Sequence, residues 1–219
     1  MERDDLLTDE LLKFCREINV DLVGFADPNY FDRYPEQFRP ETYLKDVKTV
    51  IVVGFHLFDL GLDAWCQKNE SGSFQFVDQI LVGKCSRIRK FLSDKGYNSK
   101  TISYNAGLYL KEAAALAGIG SIGKNNLLIT EDFGPQVRFR AVVTDAPLIC
   151  GTPMNESEYC SSCNLCIDAC PASAFPNGVY NKELCNNYGY SNLKMVSKFT
   201  SIWCNKCIEV CPVGKKREK

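Results

Sequence analysis

The sequence lacks the features that mark membrane-spanning, exported and nucleic-acid-binding proteins. Its best apolar run, Val50 to Phe55, has the length of a strand and falls far short of the about 18 residues typical of a membrane-spanning helix. Its 26 basic residues do not outnumber its 27 acidic ones, so the chain lacks the excess of positive charge typical of nucleic-acid-binding proteins. The N-terminus, MERDDLLTDELLKFC, has neither the basic nor the apolar region of a signal peptide. These absences predict a cytoplasmic protein without a membrane partner, and they weigh against a nucleic-acid partner.

Histidine is nearly absent, with one residue, whereas cysteine is abundant and unevenly distributed. Of the twelve cysteines, only Cys15, Cys66 and Cys85 fall within the first 149 residues, and the other nine lie between Cys150 and Cys211. Clustered thiols in a reducing compartment bind metal or carry redox chemistry more often than they form disulfides. The distribution therefore predicts a metal or redox centre in the last third of the chain.

The first two thirds of the chain alternate strand-like and helix-like segments. Val47 to Phe55 is β-branched and nearly continuous, the pattern of a strand buried on both faces. Periodicity predicts further strands over residues 20–26, 99–104, 126–130 and 136–144, and helices over 5–18, 76–95 and 108–117. Residues 59–75 are expected to be irregular. Interleaved strands and helices predict an α+β domain, a mixed α/β layer structure, over residues 1–149.

The cysteines that follow form the iron–sulfur pattern of bacterial ferredoxins. Cys160-x-x-Cys163-x-x-Cys166-x-x-x-Cys170-Pro171 is that pattern in full, C-x₂-C-x₂-C-x₃-C-P. The first three thiolates bind different irons of one cubane, and the fourth typically binds the other cluster of a two-cluster protein. We therefore expect a ferredoxin-like domain with two [4Fe–4S] clusters over residues 150–219.

A second, shorter motif closes the ligand count. Cys204-x-x-Cys207-x-x-x-Cys211-Pro212 repeats the end of the pattern, and the isolated Cys185 supplies the missing thiolate. The crossing rule predicts two ligand sets: Cys160, Cys163, Cys166 and Cys211 for one cluster, and Cys170, Cys185, Cys204 and Cys207 for the other. The alternative is two Cys₄ zinc sites, but a zinc ribbon does not require the full C-x₂-C-x₂-C-x₃-C-P run. Cys150 is left over and is expected to be an unliganded thiol.

Residues 117–126, AGIGSIGKNN, contain G-x-G-x-x-G followed by lysine. A dinucleotide-binding fingerprint needs a strand before this run and a helix after it, and here the order is reversed. A P-loop shares the glycine-to-lysine spacing, but asparagine replaces its hydroxyl residue. One interpretation is a tight turn that lets two backbones approach closely. The other is a surface for a large flat cofactor, whose candidate contacts are Gly118, Gly120, Gly123, Lys124 and Asn125; the last two are alternatively contacts to the adjacent loop.

Taken together, these motifs resemble those of epoxyqueuosine reductases. RPETYLKDVKTVIVVGF, LAGIGSIGKNNLLIT, VVTDAPL, the ferredoxin run, the isolated Cys185 and CNKCIEVCP occur in the order seen in that family, so the resemblance covers nearly the whole chain. Reductive dehalogenases are more distantly similar. The resemblance implies a cobalamin cofactor on the α/β domain beside two [4Fe–4S] clusters, with the same cluster ligands.

Two departures from the family matter for function. Epoxyqueuosine reductases carry an acidic proton donor near the start of the helix before the glycine motif, where this chain has Tyr104. A tyrosine donates the proton in reductive dehalogenases, so the resemblance implies Tyr104 as a catalytic general acid; the alternative is a tyrosine packed at a strand end. The chain also stops after the second cysteine motif, without the C-terminal helical repeats that help epoxyqueuosine reductases to recognise tRNA, which weighs against tRNA as substrate.

The single histidine, His56, ends the predicted buried strand and has two interpretations. It is either a lower axial ligand to cobalt or a residue that packs or hydrogen-bonds at the strand end. Similar proteins commonly bind cobalamin without a protein histidine, which favours the second interpretation.

The leading hypothesis is an iron–sulfur oxidoreductase, a cobalamin-dependent reductase of the epoxyqueuosine reductase and reductive dehalogenase type. Its clusters would pass electrons from a donor such as ferredoxin or flavodoxin to cobalamin, which would reduce a small-molecule substrate. The alternative is a non-catalytic electron-transfer protein that reduces a partner such as a corrinoid protein. A third hypothesis is a degenerate relative with structural clusters. Missing substrate-binding extensions favour the carrier, and the retained core favours a bound cofactor.

Overall fold

The computed structural model describes residues 2–67, 73–102, 107–155 and 157–214. The helices are α1 (Asp5–Glu17), α2 (Phe76–Asp94), α3 (Leu110–Leu116), α4 (Leu165–Asp168), α5 (Lys182–Ser191) and α6 (Lys206–Glu209). The strands are β1 (Leu22–Ala26), β2 (Thr49–His56), β3 (Trp65–Gln67), β4 (Ser73–Gln75), β5 (Ser99–Ile102), β6 (Ser121–Ile122), β7 (Leu128–Ile129), β8 (Val137–Thr144), β9 (Lys194–Ser197) and β10 (Thr200–Ile202).

A four-stranded antiparallel sheet, ordered β1-β2-β8-β5, forms the centre of the molecule. β2 and β8 pair over their whole length, from Thr49 opposite Thr144 to His56 opposite Val137. The first six residues of β2 are buried, as its continuous β-branched sequence predicts, because helices cover both faces of the sheet.

The two faces of this sheet have different coverings. On one face, α1 and α2 pack their apolar stripes against Ile51, Val53 and Val142. On the other, the alanine-rich α3 packs against Val50, Val52 and further small apolar residues of β8. Small side chains let α3 approach the sheet closely. The resulting helix–sheet–helix layering confirms the predicted mixed α/β architecture.

A second sheet joins distant parts of the chain in the order β4-β3-β10-β9. β3 pairs antiparallel with β10, with Thr200 opposite Cys66 and Ser201 opposite Trp65. The expectation that residues 59–75 are irregular is therefore wrong over β3 and β4, because β3 pairs with β10, more than a hundred residues away, and β4 pairs with β3. The domain division at residues 149 and 150 stays a prediction, and this sheet takes strands from both sides of it.

Buried side chains are concentrated in the first two thirds of the chain. Among residues 157–214 the structure describes five buried ones: Ala174, Phe175, Gly189, Asn205 and Ile208. Helices α4 and α6 are four residues each, too short to be stable without tertiary support. In the described ranges, no helix combines the length and apolar character needed to cross a membrane.

Candidate functional site

The two C-x-x-x-C-P motifs fold in the same way. α4 follows Asn164 and α6 follows Asn205, and each helix carries a cysteine, Cys166 or Cys207, as its second residue. Both helices end two residues before the next cysteine of their motif, and a proline follows that cysteine. One short turn of helix thus sets the spacing between two thiols in each motif.

The first predicted ligand set is brought together around Cys166. Burial raises the pKa of this thiol, and neighbouring Cys160, Cys163 and Cys211 raise it further because each disfavours a second negative charge nearby. Cys211 comes from the other motif, more than forty residues along the chain. Cysteines of both motifs therefore lie together in the fold, and the crossed ligand set stays a prediction.

The second predicted set surrounds Cys207. Burial raises the pKa of Cys207 to about 12, and Cys185, Cys204, Cys166 and Cys170 add to the effect. Three of these belong to the second set, and Cys166 belongs to the first, so the two groups adjoin. Each group offers the four thiols that a cubane requires.

These groups differ from a single-ion site. Among the described residues, no three His, Cys, Asp or Glu side chains are placed to hold one metal ion together. The ligands of a cubane bind four different irons and need not converge on one point. The two thiol groups are compatible with this requirement, and whether these eight residues are the ligands stays a prediction.

A cavity of about 1240 Å³ lies between the cysteine-rich segment and the central sheet. All four thiols of the second group line it: Cys170, Cys185, Cys204 and Cys207. On the opposite side its walls come from α3, β8 and the start of α2. This volume exceeds the roughly 300–1,000 Å³ of ordinary small-molecule pockets and suits a larger occupant.

Ion pairs and hydrogen bonds fix the wall of the cavity beneath the second sheet. Arg138 Nε donates to Asp63 Oδ1 over 2.9 Å, and a second guanidinium nitrogen contacts Asp63 Oδ2. Gln75 Nε2 donates to the same Asp63 Oδ1 over 3.2 Å. The Asp63 side chain is 4% exposed, and the Arg138 guanidinium compensates its buried charge. This network joins β8 to β4 and to the segment that precedes β3.

Lysines and Glu112 are further charged residues of the cavity walls. The lining lysines are Lys111, Lys182, Lys198 and Lys206. Burial lowers the pKa of Lys111, Glu112 opposes this, and Lys182 lowers it further. Lys111 Nζ donates to the Asn126 carbonyl over 2.8 Å and lies 4.0 Å from Glu112 Oε1. Glu112 Oε2 is buried and, within the described part of the chain, has no hydrogen-bond partner.

Close packing holds α5, and with it Cys185, against the Cys204 loop. A Cβ atom added at Gly189 would lie 2.2 Å from Trp203 Cζ2. Trp203 also packs edge-on against Tyr190, with ring centroids 4.8 Å apart. Because Trp203 immediately precedes Cys204, this contact places α5 against the loop that carries Cys204.

The glycine motif forms a tight turn. Gly118 has φ +73°, a left-handed conformation that favours glycine, and a Cβ at Gly120 would lie 2.3 Å from the Ile129 carbonyl oxygen. Among the predicted cofactor contacts only Asn125 lines the large cavity, and its Oδ1 accepts from the Leu127 N–H over 3.1 Å. The close backbone approach accounts for the glycines here. The cofactor-binding role of Gly118, Gly120, Gly123, Lys124 and Asn125 stays a prediction.

Lys124 reaches from this turn to the first cysteine loop. Its Nζ donates to the carbonyls of Ser161 and Cys163 over 3.4 and 3.1 Å, and to Asn164 Oδ1 over 2.9 Å. The contact to the adjacent loop, one of the two alternatives for this lysine, is therefore present.

The remaining sequence candidates have varied surroundings. Tyr104, the predicted general acid, lies outside the described residues. The His56 ring stacks on Phe133, with centroids 4.3 Å apart, and its backbone N–H donates to Asp21 Oδ2 over 2.8 Å. His56 is not among the residues that line the large cavity. Burial raises the pKa of Cys150 to about 11, and its thiol lies 3.7 Å from the Leu148 carbonyl.

Sequence reasoning missed Glu112 and Tyr180. Glu112 is an acid on an otherwise alanine-rich helix, a position that the sequence makes conspicuous. The Tyr180 phenol hydrogen-bonds to Cys185, and burial together with that hydrogen bond raises its pKa. No sequence pattern marks Tyr180, because its partner is identified only by the fold.

Comparison with known proteins finds an iron–sulfur family profile and two groups of similar reductases. A family profile described as a 4Fe-4S binding domain matches residues 157–180. The epoxyqueuosine reductase of Bacillus subtilis is 23% identical, over 97% of this chain and 64% of that protein. A tetrachloroethene reductive dehalogenase of Desulfitobacterium hafniense is 32% identical, over 59% of this chain and 26% of that protein. The chain thus spans about two thirds of the length of the epoxyqueuosine reductases that it matches.

Solved structures show the same fold. A crystal structure of epoxyqueuosine reductase with a tRNA-Tyr epoxyqueuosine-modified stem loop superposes with a TM-score of 0.71 at 20% identity, covering 95% of this chain and 65% of that one. A reductive dehalogenase structure described in terms of B12-dependent dehalogenation superposes with a TM-score of 0.68 at 18% identity, covering 94% and 31%. The resemblance drawn from the motifs is confirmed, and so is a 4Fe-4S binding region.

Proposed function

We propose that this protein is a cobalamin-dependent iron–sulfur reductase that carries two [4Fe–4S] clusters and reduces a small-molecule substrate. The observation that carries the proposal is the position of the second thiol group, all four members of which line the 1240 Å³ cavity. A cluster at that position would sit beside whatever occupies the cavity. Electrons could then reach the occupant without crossing the sheet.

The thiol groups support the cluster part of the proposal. The first cluster would be held by Cys160, Cys163, Cys166 and Cys211, and the second by Cys170, Cys185, Cys204 and Cys207. In each group the other three thiols lie close enough to raise the pKa of one member, Cys166 in the first group and Cys207 in the second. The clusters supply one-electron carriers of tunable potential. Tyr180, hydrogen-bonded to Cys185, orients one thiol of the second group.

The cavity supports the cofactor part of the proposal. Its volume suits a large ring system, and lysines on its walls suit an occupant with negative charge. The similar dehalogenase structure is described in terms of B12 chemistry. A corrinoid supplies a metal centre that accepts single electrons and reacts with the substrate. Asn125, which lines the cavity beside α3, would contact it.

A reduction by two electrons also consumes a proton, which this chain's own residues would supply. Tyr104 is the donor implied by the family resemblance. Glu112 is the donor that the cavity offers, because it lines the wall and has a buried oxygen without a hydrogen-bond partner among the described residues. A positioned acid contributes about 10²–10⁴-fold to a proton-transfer step.

Electrons would enter through the first thiol group. None of Cys160, Cys163, Cys166 and Cys211 lines the cavity, whereas the second group does. The path would therefore run from an external donor, such as ferredoxin or flavodoxin, through the first cluster to the second. Cys166 of the first group lies near Cys207 of the second, so transfer between clusters held by the two groups would be short.

RNA is a second candidate for the substrate, because one similar structure contains a tRNA stem loop. Net charge and chain length led us to expect no nucleic-acid partner, and the comparison does not support that expectation. A modified base presented by an RNA loop is a substrate that the same reductive chemistry could act on. Binding of an RNA stem loop therefore belongs among the tests.

Anaerobic reconstitution tests the proposal. The protein is loaded with iron, sulfide and hydroxocobalamin, and iron, zinc and visible spectra are measured before and after gel filtration. We expect about eight irons per chain, two cubanes of four, together with co-eluting corrinoid. Iron without retained corrinoid would leave the electron-carrier alternative, and bound zinc in place of iron would overturn the cluster assignment. An RNA stem loop, added at the same step, tests the substrate class by its own co-elution.

A further inference from the structure

We propose that Lys124 is a positioning residue for the first cluster, whose ammonium both orders the first cysteine loop and raises that cluster's reduction potential. This inference rests on the proposed cluster ligation. It differs from a role in binding the cavity's occupant, because Lys124 does not line the cavity.

The geometry of the ammonium matches its acceptors one to one. A lysine ammonium has three N–H donors and no acceptor. Three acceptors surround Nζ: the carbonyl oxygens of Ser161 and Cys163 at 3.4 and 3.1 Å, and Asn164 Oδ1 at 2.9 Å. These residues lie between the first and third ligands of the predicted first cluster.

Each contact acts on a different part of the cysteine loop. The carbonyl of Cys163 belongs to a predicted ligand. Asn164 immediately precedes α4, whose second residue is the ligand Cys166. Residues in this segment contribute no side chain to the buried core, so packing does little to fix its conformation. Lys124 therefore supplies order that hydrophobic packing does not.

The turn before Lys124 fixes the backbone position from which its side chain extends. The Gly123 N–H donates to the Leu127 carbonyl over 2.8 Å, and a Cβ at Gly123 would lie 2.7 Å from Ile129 Cγ1. The turn thus packs tightly against β7. Because its backbone is fixed by this turn, the Lys124 side chain holds the cysteine loop against the α/β layer.

The charge has a second effect. All three acceptors are neutral, so they solvate the ammonium without cancelling its charge. A positive charge near an iron–sulfur cluster favours the reduced, more negative state, and net charge and hydrogen bonding are among the determinants of cluster potential. Removing the charge should make the first cluster harder to reduce.

The test is an anaerobic redox titration of the reconstituted protein, followed by EPR, on Lys124→Met, Lys124→Gln and Lys124→Arg. Lys90→Met is the matched control, since Lys90 pairs with Asp94 on the exposed face of α2. We expect one of the two midpoint potentials to move to a more negative value in the Met and Gln variants. Arginine should restore it towards the wild-type value, and the control should leave both potentials unchanged.

Three results would overturn the inference: unchanged potentials in fully loaded Met and Gln variants, an equal shift of both clusters, or an equal shift in Lys90→Met. If the Met variant loses iron, the midpoint potentials of the Gln variant provide the test, because glutamine keeps an N–H donor without the charge. A wild-type protein that fails to bind two clusters would refute the proposed function instead, so the two failures are distinguishable.

Discussion

At the scale of single residues, burial and ligation divide the twelve cysteines into classes of different reactivity. Cys15 and Cys85 are completely buried, and burial raises the pKa of both to about 12. Cys150 is half-buried with its pKa raised to about 11, and Cys66 is half-buried in β3. Alkylation requires the thiolate, so a raised pKa and poor access both slow it.

Anaerobic alkylation of the iron-loaded protein at pH 8, read by peptide mass spectrometry, should label Cys66 first and Cys150 slowly. Cys15 and Cys85 should stay unlabelled until the protein unfolds, because they are both inaccessible and protonated. Chelation of iron should then add the eight predicted ligands to the labelled set. Labelling of any of these eight before chelation would remove that residue from the ligand set.

The proton donor is a second residue-scale question. Tyr104→Phe and Glu112→Gln each remove one candidate acid while keeping the shape of the side chain. We expect the variant that lacks the true donor to lose about 10²–10⁴-fold in turnover with its cluster content intact. Measured on the same samples, iron content and corrinoid retention separate lost chemistry from lost cofactor. Full turnover in both variants would exclude both acids.

The sequence predicts ligands better than it predicts other site residues, for a physical reason. A cubane is bound by thiolates at short, fixed spacings. The sequence alone therefore predicts Cys160, Cys163, Cys166 and Cys170 as ligands. Glu112 and Tyr180 have no such pattern, because their roles depend on which surfaces the fold brings together. Lys124 was singled out for its place after the glycines, but only the fold shows that it contacts the cysteine loop.

At the scale of elements, the packing of α5 on Trp203 predicts that one methyl group added at Gly189 weakens cluster binding. In Gly189→Ala the new Cβ would lie 2.2 Å from the indole, so α5 must move away from the Cys204 loop. We expect iron content to fall towards half, since the second group loses its spacing and the first does not. The measurement is iron per chain after anaerobic gel filtration.

Gly83→Ala is the matched control for this change. Gly83 is an exposed residue of α2, and an added Cβ meets nothing within 4 Å. This variant should keep its iron and gain about 0.5–1 kcal/mol of stability, the usual effect of replacing glycine within a helix. Equal iron content in the two variants would show that the contact does not set the thiol spacing.

Local sequence signals account for most of the central elements. The predicted strand over 136–144 is observed as Val137–Thr144, and the predicted helix over 76–95 as Phe76–Asp94. Their periodicity reflects burial against neighbouring layers, which local patterns encode. β3 and β4 were not predicted, because three-residue strands carry no periodicity. β3 is stabilised by pairing with the distant β10, and β4 by pairing with β3.

At the scale of the whole molecule, the two parts of the chain are stabilised differently. The central sheet has extensive apolar cores on both faces, whereas residues 157–214 bury few side chains. Metal binding can supply folding free energy where a core is small. Clusters would therefore hold the cysteine-rich segment together.

Hydrogen–deuterium exchange before and after iron chelation tests this difference. We expect amides in residues 182–211 to lose protection on chelation, while those in β2 and β8 keep theirs. The reason is that the strands depend on the apolar core and the segment depends on the ligated metal. Uniform loss of protection across the chain would show instead that the whole protein folds as one cooperative unit around the clusters.

The pairing of β3 with β10 has a consequence for how the protein is made. Cys66 and Thr200 are partners separated by 134 residues, so this sheet has a high contact order. At the usual translation rates, roughly 3–11 s pass between the synthesis of Thr144, which completes the central sheet, and that of Thr200, which begins β10. One wall of the cavity therefore stays open while the central sheet is already able to fold. A bulky cofactor would have this interval in which to enter from the side before the nascent chain closes over it.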